Sequence, residues 1–243
     1  MGFNRFNSKN NGFTLAEVLI TLGIIGVVAA MTLPTLIQNQ QKRSLEVATQ
    51  KFYSTMSQAV KKYMADEGVD DLRNTPLTDM SDDFSNWEDA EKACDDFVQK
   101  YLKVAKVCEN GCFADNYKTL NGEISGEPGL ELEYYKGTFM LADGAVFDIN
   151  PGTSRLPIEL YVDVNGRKGP NKIGYDLWSM DIFYDGSIDE SNVNPECKKY
   201  GGRNCIDWNG TSEVREGRVE SCDGGAYGGC FGHFLENNFK FDY

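Results

Sequence analysis

The run FTLAEVLITLGIIGVVAAMTLPTLI, from Phe13 to Ile37, constrains this chain more than any other feature, because it is almost entirely apolar and holds one charge, Glu17. As a helix it extends roughly 31–37 Å at about 1.5 Å per residue, enough to cross a hydrocarbon core about 30 Å thick once. The rest of the chain is polar enough to bring the mean hydropathy to −0.44, so the membrane-seeking surface is concentrated at the N-terminus. Ahead of it stands MGFNRFNSKNNG, which carries Arg5 and Lys9 and no acid. The positive-inside bias places that end in the cytoplasm and the bulk of the chain outside.

Three fates fit such a segment: a plain anchor, a secretory signal cut after Val28-Ala29-Ala30, or a leader removed ahead of the apolar run. A signal-peptide core is purely apolar, and Glu17 argues against it. A carboxylate at mid-depth in a bilayer helix costs about 2.5–3.5 kcal/mol and usually has a partner or a purpose. Snorkelling to the interface is the simpler alternative for a residue so near the helix end.

Gly12-Phe13-Thr14-Leu15-Ala16-Glu17 and the long apolar run behind it resemble the class III signal of type IV pilins and type II secretion pseudopilins. The resemblance covers the first 40 to 60 residues. It implies that a prepilin peptidase cuts between Gly12 and Phe13 and that the new Phe13 amine is N-methylated. It further implies that Glu17 of an incoming subunit pairs with the Phe13 amine of a neighbour, neutralising two groups that are costly in a dry core. Phe13–Leu36 helices then exchange lipid for one another as the filament core, and the chain works with an inner-membrane platform protein, its assembly ATPase and copies of itself or of other pilins. Gly26 and Pro34 stand where pilins carry helix-weakening residues; proline lacks an amide hydrogen and glycine has low helix propensity. A kink or melted stretch between them is expected, with close packing of helices in the bilayer as the alternative for the glycines.

Beyond the membrane segment, Leu45, Ala48, Phe52, Met56, Ala59 and Tyr63 recur at helical spacing and predict a helix continuing to about Ala65. Its stem is basic (Lys42, Arg43, Lys51, Lys61 and Lys62 against Glu46) and the stretch after it is acidic (Asp66, Glu67, Asp70 and Asp71). The asymmetry suits either solvated faces or a contact between neighbouring subunits. Ser85-Asn86-Trp87-Glu88 reads as a capping box opening a second helix, with Trp87, Ala90, Cys94, Phe97, Tyr101 and Val104 on its apolar face. From Leu130 onward, LELEYYKG, TFMLADGAVFDIN turning at Asp143-Gly144, IELYVDV, and MDIFYDGSI turning at Asp185-Gly186 predict an antiparallel sheet. The expected fold class is α+β. Residues 1–12 form a cytoplasmic leader, 13–37 the transmembrane and filament-core helix, 38–66 an amphipathic spine, and 67–243 an extracytoplasmic head with a loop-rich, disulfide-stapled C-terminus.

Seven cysteines, Cys94, Cys108, Cys112, Cys197, Cys205, Cys222 and Cys230, lie on the exterior side, where disulfides persist. Pairing is expected within the group Cys197, Cys205, Cys222 and Cys230, whose glycine-rich surroundings lack apolar anchors. Cys112 is expected to pair with Cys94 or Cys108, leaving one thiol. No CxxC pair accompanies the single histidine, which argues against a zinc site. In Asp163-Val164-Asn165-Gly166-Arg167-Lys168-Gly169-Pro170-Asn171, running on to Gly174-Tyr175-Asp176, the oxygens of Asp163, Asn165 and Asp176 suit calcium. The EF-hand pattern fails there, and a turn braced by Asx side chains is the competing reading. The segment also resembles one found in bacterial pilin-like proteins, some of which bind calcium. Asn209-Gly210-Thr211 fits a glycosylation sequon too common to carry weight.

His233 has no activated nucleophile beside it, so an enzyme is not expected. With 24 basic against 37 acidic residues the net charge is −13, which disfavours nucleic acid as a partner. The expected function is a structural subunit of a type IV pilus or type II secretion pseudopilus, needing no cofactor beyond possible Ca²⁺. It is held in the inner membrane among lipid before assembly, and afterwards in a cell-surface pilus or periplasmic pseudopilus. The alternative is a monomeric membrane-tethered or secreted domain that binds carbohydrate or ions.

Overall fold

The computed structural model describes residues 13–81, 84–108, 111–122, 138–154, 156–190, 222 and 230–243. The chain divides into two units, Met1–Arg43 and Ser44–Tyr243. In the first, every described residue is helical from Leu15 onward, and the apolar side chains stand exposed: Phe13 is 90% and Leu15 79% accessible. This run belongs to α1, Leu15–Glu67, a helix of 53 residues that is the one helix among the described residues long and apolar enough to cross a membrane. The stretch from Gly26 to Pro34 is helical throughout, so of the kink and the melted stretch expected there, the melted one does not occur. Proline forfeits one backbone bond, and the ladder on either side outweighs that loss.

In the second unit, the Ser44–Glu67 part of α1 buries Leu45, Thr49, Phe52, Met56, Ala59, Val60, Tyr63 and Met64, the face that the spacing predicted. Against it lies a six-stranded antiparallel sheet in the order β2-β3-β4-β6-β7-β8: β2 Val104–Cys108, β3 Thr138–Leu141, β4 Val146–Asn150, β6 Ile158–Asp163, β7 Leu177–Ile182 and β8 Ile188–Asp189. A second, two-stranded parallel sheet pairs β1, Thr78–Asp79, with β5, Gly152–Thr153. The turns at Asp143-Gly144 and Asp185-Gly186 fall where expected, each glycine at positive φ (95° and 78°). Gly186 is also needed sterically, since a Cβ there would stand 2.5 Å from the Met64 sulfur. The LELEYYKG segment lies outside the described residues.

Period-two burial explains the sheet. In β6, Ile158, Leu160 and Val162 point inward while Glu159 and Tyr161 are half-buried, and Val162 is in register with Trp178. Phe52 of α1 meets Phe147 of β4 at 5.5 Å between ring centres, and the Trp178 indole donates to Thr49 Oγ1 at 3.1 Å. Such a paired donor lets a large aromatic be fully buried.

The second helix, α2, is Trp87–Tyr101 and buries Ala90, Cys94, Phe97 and Val98. Its start corrects the expected capping box. Asn86 is the cap residue at φ −107°, ψ 14°, and makes no side-chain cap bond; outside the extended region its side chain is not set to reach back to the first-turn amides. Val104, assigned to the helix face from its spacing, instead begins β2. A short third helix, α3, Cys230–Glu236, occupies part of the C-terminal region expected to be loops. Its first amides are satisfied by buried Glu190, whose Oε2 accepts from Phe231 N at 2.9 Å and Gly232 N at 3.0 Å.

Candidate functional site

At the start of α1, Thr14 and Glu17 close on one another. Glu17 Oε2 accepts from Thr14 N and from Thr14 Oγ, both at 2.8 Å, while Glu17 N donates to Thr14 Oγ at 3.2 Å. This reciprocal pair is a capping box of the Thr-x-x-Glu form, and it satisfies amide donors that a helix start otherwise leaves without partners. Thr14 was not singled out from the sequence, although Thr-Leu-Ala-Glu ahead of an apolar run is itself the signature. In this state the Glu17 carboxylate is solvent-exposed, and no cation pairs with it among the described residues. Gly12 lies outside the described residues.

Farther along α1, two charges of the stem are used inside the chain. Lys51 Nζ is 2.8 Å from Asp143, and Glu46, 7% exposed, receives Lys240 Nζ at 2.9 Å and Phe241 N at 3.0 Å. This second contact ties residues 240–241 to the spine. Phe241 stacks with Tyr175 at 4.8 Å and lies 4.9 Å from Phe234, which in turn packs 4.7 Å from Trp178.

The disulfides Cys108–Cys112 and Cys222–Cys230 are formed and Cys94 is a buried free thiol. The partner left open for Cys112 is therefore Cys108; burial pushes the Cys94 thiol up. Gly174, at φ +80°, lies against the second bridge, where a Cβ would come within 3.2 Å of Cys230 Sγ. Cys197, Cys205 and the Asn209 sequon fall outside the described residues.

In the loop after β6, Asp163 and Asp176 are fully buried and brace the chain as Asx side chains do. Asp163 accepts from Asn165 N at 3.0 Å and from the Tyr117 hydroxyl at 2.6 Å. Asp176 accepts from Asn171 N at 2.8 Å and Lys172 N at 2.6 Å. Burial, ahead of all other causes, pushes Asp163 up to about 7 and Asp176 up to about 6. Asn165 Nδ2 donates to Gly169 O at 3.2 Å, while Asn165 Oδ1 and Asn171 Oδ1 are buried without a hydrogen-bond partner among the described residues. No group of three or more His, Cys, Asp or Glu side chains suited to a metal occurs among the described residues. His233 Nε2 pairs with Asp242 at 2.8 Å, a tie within the C-terminal segment.

The exposed apolar helix start, the antiparallel sheet and the Cys222–Cys230 disulfide near the C-terminus fit an α+β fold of the pilin kind, and the N-terminal segment matches the methylation motif that pilin-like chains carry. More particularly, the chain belongs to a family described as "Family of unknown function (DUF6613)", which matches residues 35–223. The "Prokaryotic N-terminal methylation motif" matches residues 7–33. The type IV major pilin protein PilA of Myxococcus xanthus (strain DK1622) is 45% identical over 42 residues, 17% of this chain and 19% of that protein. The chain thus spans about a fifth of the length of that curated relative. No solved structure matches.

Proposed function

We propose that the protein is a structural subunit of a type IV pilus or type II secretion pseudopilus, polymerised through its N-terminal helix. The observation that carries this reading is α1 itself, none of whose membrane-length apolar stretch is buried among the described residues. An apolar surface of that size requires lipid or identical neighbours. On this reading a prepilin peptidase removes residues 1–12, the Phe13 amine is methylated, and the chain waits in the inner membrane with its head outside. A platform protein and its ATPase then transfer it into the filament. Glu17 gives up its bonds to Thr14 and pairs with a neighbour's Phe13 amine. The test is mass spectrometry of the mature protein from its host, together with Glu17→Ala. The expected N-terminus is Phe13 carrying one extra methyl group, and Glu17→Ala should insert in the membrane without entering filaments. A mature chain starting at Met31 would mean a secreted binding domain, and an intact Met1 a simple anchor.

A second reading concerns the Asp163 loop, where Asp163, Asn165 and Asp176 would hold Ca²⁺. The two buried Asn Oδ1 atoms beside two carboxylates favour it, since Ca²⁺ takes six to eight such oxygens. Millimolar calcium should raise the melting temperature of the wild type and not of Asp176→Asn. An equal response from both would leave the loop as a turn alone.

A further inference from the structure

Among the described residues, a cleft of about 610 Å³ opens between the end of β2, the β3–β4 turn and the loop after β6. Its floor is apolar or featureless: Met140, Cys112 of the first disulfide, and Gly144 facing Gly166, where a Cβ would meet Gly144 O at 3.1 Å. Its rim carries Lys106, Arg167 and Lys168, all exposed, and no lining residue is acidic. Among the described residues the carboxylate in reach is Asp115, 3.8 Å from Arg167, and both of these side chains are more than half exposed. A pair so solvated contributes little and leaves the guanidinium available. In a chain of net charge −13, such a concentration of positive charge over an uncharged floor is anomalous.

The complementary surface is on the same molecule. The outer face of α2 exposes Glu88, Asp89, Glu91, Asp95 and Asp96 against Lys92 and Lys100. That helix is fixed by its buried side (Ala90, Cys94, Phe97 and Val98), so the acidic face cannot turn into its own chain's cleft. Two copies of so acidic a protein repel at long range, and they approach favourably only where opposite patches meet. We propose that the Lys106/Arg167/Lys168 cleft receives the acidic face of α2 from a second copy of the chain. Cleft and helix are different surfaces, so the contact is heterologous: each copy gives one helix and accepts one, and the series propagates instead of closing. The proposal rests on the filament reading and adds to it a head-to-head contact outside the apolar helices. Salt should weaken it, because both surfaces are exposed and the screening length is about 10 Å at 0.1 M.

The test is charge reversal in the full-length protein in its host, reading the amount of sheared filament. Lys106→Glu, Arg167→Glu and Lys168→Glu together, or Glu88→Lys, Asp89→Lys, Asp95→Lys and Asp96→Lys together, should each lower filament yield by about tenfold. Combining both sets should restore most of it, which loss of folding in either set cannot mimic. Melting temperatures of the membrane-extracted variants check that each head folds. Wild-type yields from either reversed protein, or a combined protein no better than the poorer set, would overturn the contact and leave the filament reading standing. A wild-type protein that yields no filament in its host would overturn the filament reading, and this contact with it, whereas filaments indifferent to Glu17→Ala would overturn only the pairing of Glu17 with Phe13.

Discussion

Asp148 offers a quantitative test of how the head is built. It sits on β4, 4% exposed, with Asn150 Nδ2 donating to it at 3.1 Å and no cation paired with it among the described residues. Burial is the main reason its carboxyl is pushed up from 3.8 to about 7, and the charges of Asp95 and Glu91 on α2 add to the rise. The folded state therefore holds a proton that the unfolded state releases near pH 4. Stability is undiminished below about pH 4, falls as pH rises towards about 7, and is lower by a constant amount above that. At about 1.4 kcal/mol per pH unit, the interval from 3.8 to about 7 corresponds to a loss of about 4 kcal/mol. Asp148→Asn keeps the shape and removes the ionisation. In detergent-solubilised full-length protein it should raise the melting temperature at pH 8 by roughly 10 °C and change it little at pH 4. Near-UV circular dichroism of the buried aromatics would follow the transition. A difference between variant and wild type that stays flat from pH 4 to 8, or a destabilised variant at pH 8, would refute the argument, because the ionised carboxylate would then be solvated or paired.

The other perturbations test local contacts. Thr14→Val removes one half of the helix-start cap and should cost about 1 kcal/mol, seen as faster amide exchange over residues 15–18 in micelles; unchanged exchange would deny the cap a role. Glu46→Ala leaves half-buried Phe241 N without its acceptor and should cost about 1–2 kcal/mol in melting experiments, whereas Lys240→Ala, at the exposed end of the pair, should cost under about 1 kcal/mol. Gly186→Ala combines positive φ with a clash against Met64 and should destabilise by about 1–3 kcal/mol, a result that Met64→Ala in the same chain should partly relieve. Cys94 should resist alkylation in the native protein and react only after unfolding, because the thiol is buried and its ionisation suppressed.

Strong periodicity made the architecture readable. The face from Leu45 to Tyr63, the strand alternation of Ile158–Asp163 and the two Asp-Gly turns each have one geometric solution. The start of α2 misled because Ser85 and Glu88 have the right spacing for a cap that the Asn86 backbone does not present. The melted stretch expected near Pro34 is absent because its local propensity is outweighed by the helical ladder on either side. Helix α3 escaped notice because Cys230, Gly232 and His233 carry little helical propensity, and its amides are met by Glu190, forty residues away in sequence. The Lys106/Arg167/Lys168 cleft was illegible for the same reason, since β2 and the loop after β6 become neighbours only through the sheet. At the N-terminus the apolar helix was legible because its signal is local, while the partnership of Thr14 with Glu17 went unread.

The tie between Glu46 and Phe241 spans 195 residues of sequence and joins the first turns of the head to a segment made long after them. Phe234 and Phe241 both press on the Trp178 cluster that fills the space under α1, so the sheet cannot complete its interior until residues 240–241 have arrived. Contact order this high makes the loop-closure entropy of the whole head a toll on its final step. A head exported N-terminus first would therefore emerge as an open chain and condense only after the tail had followed. Damage to residues 240–241 should accordingly act on folding yield well before it acts on the shape of any head that succeeds.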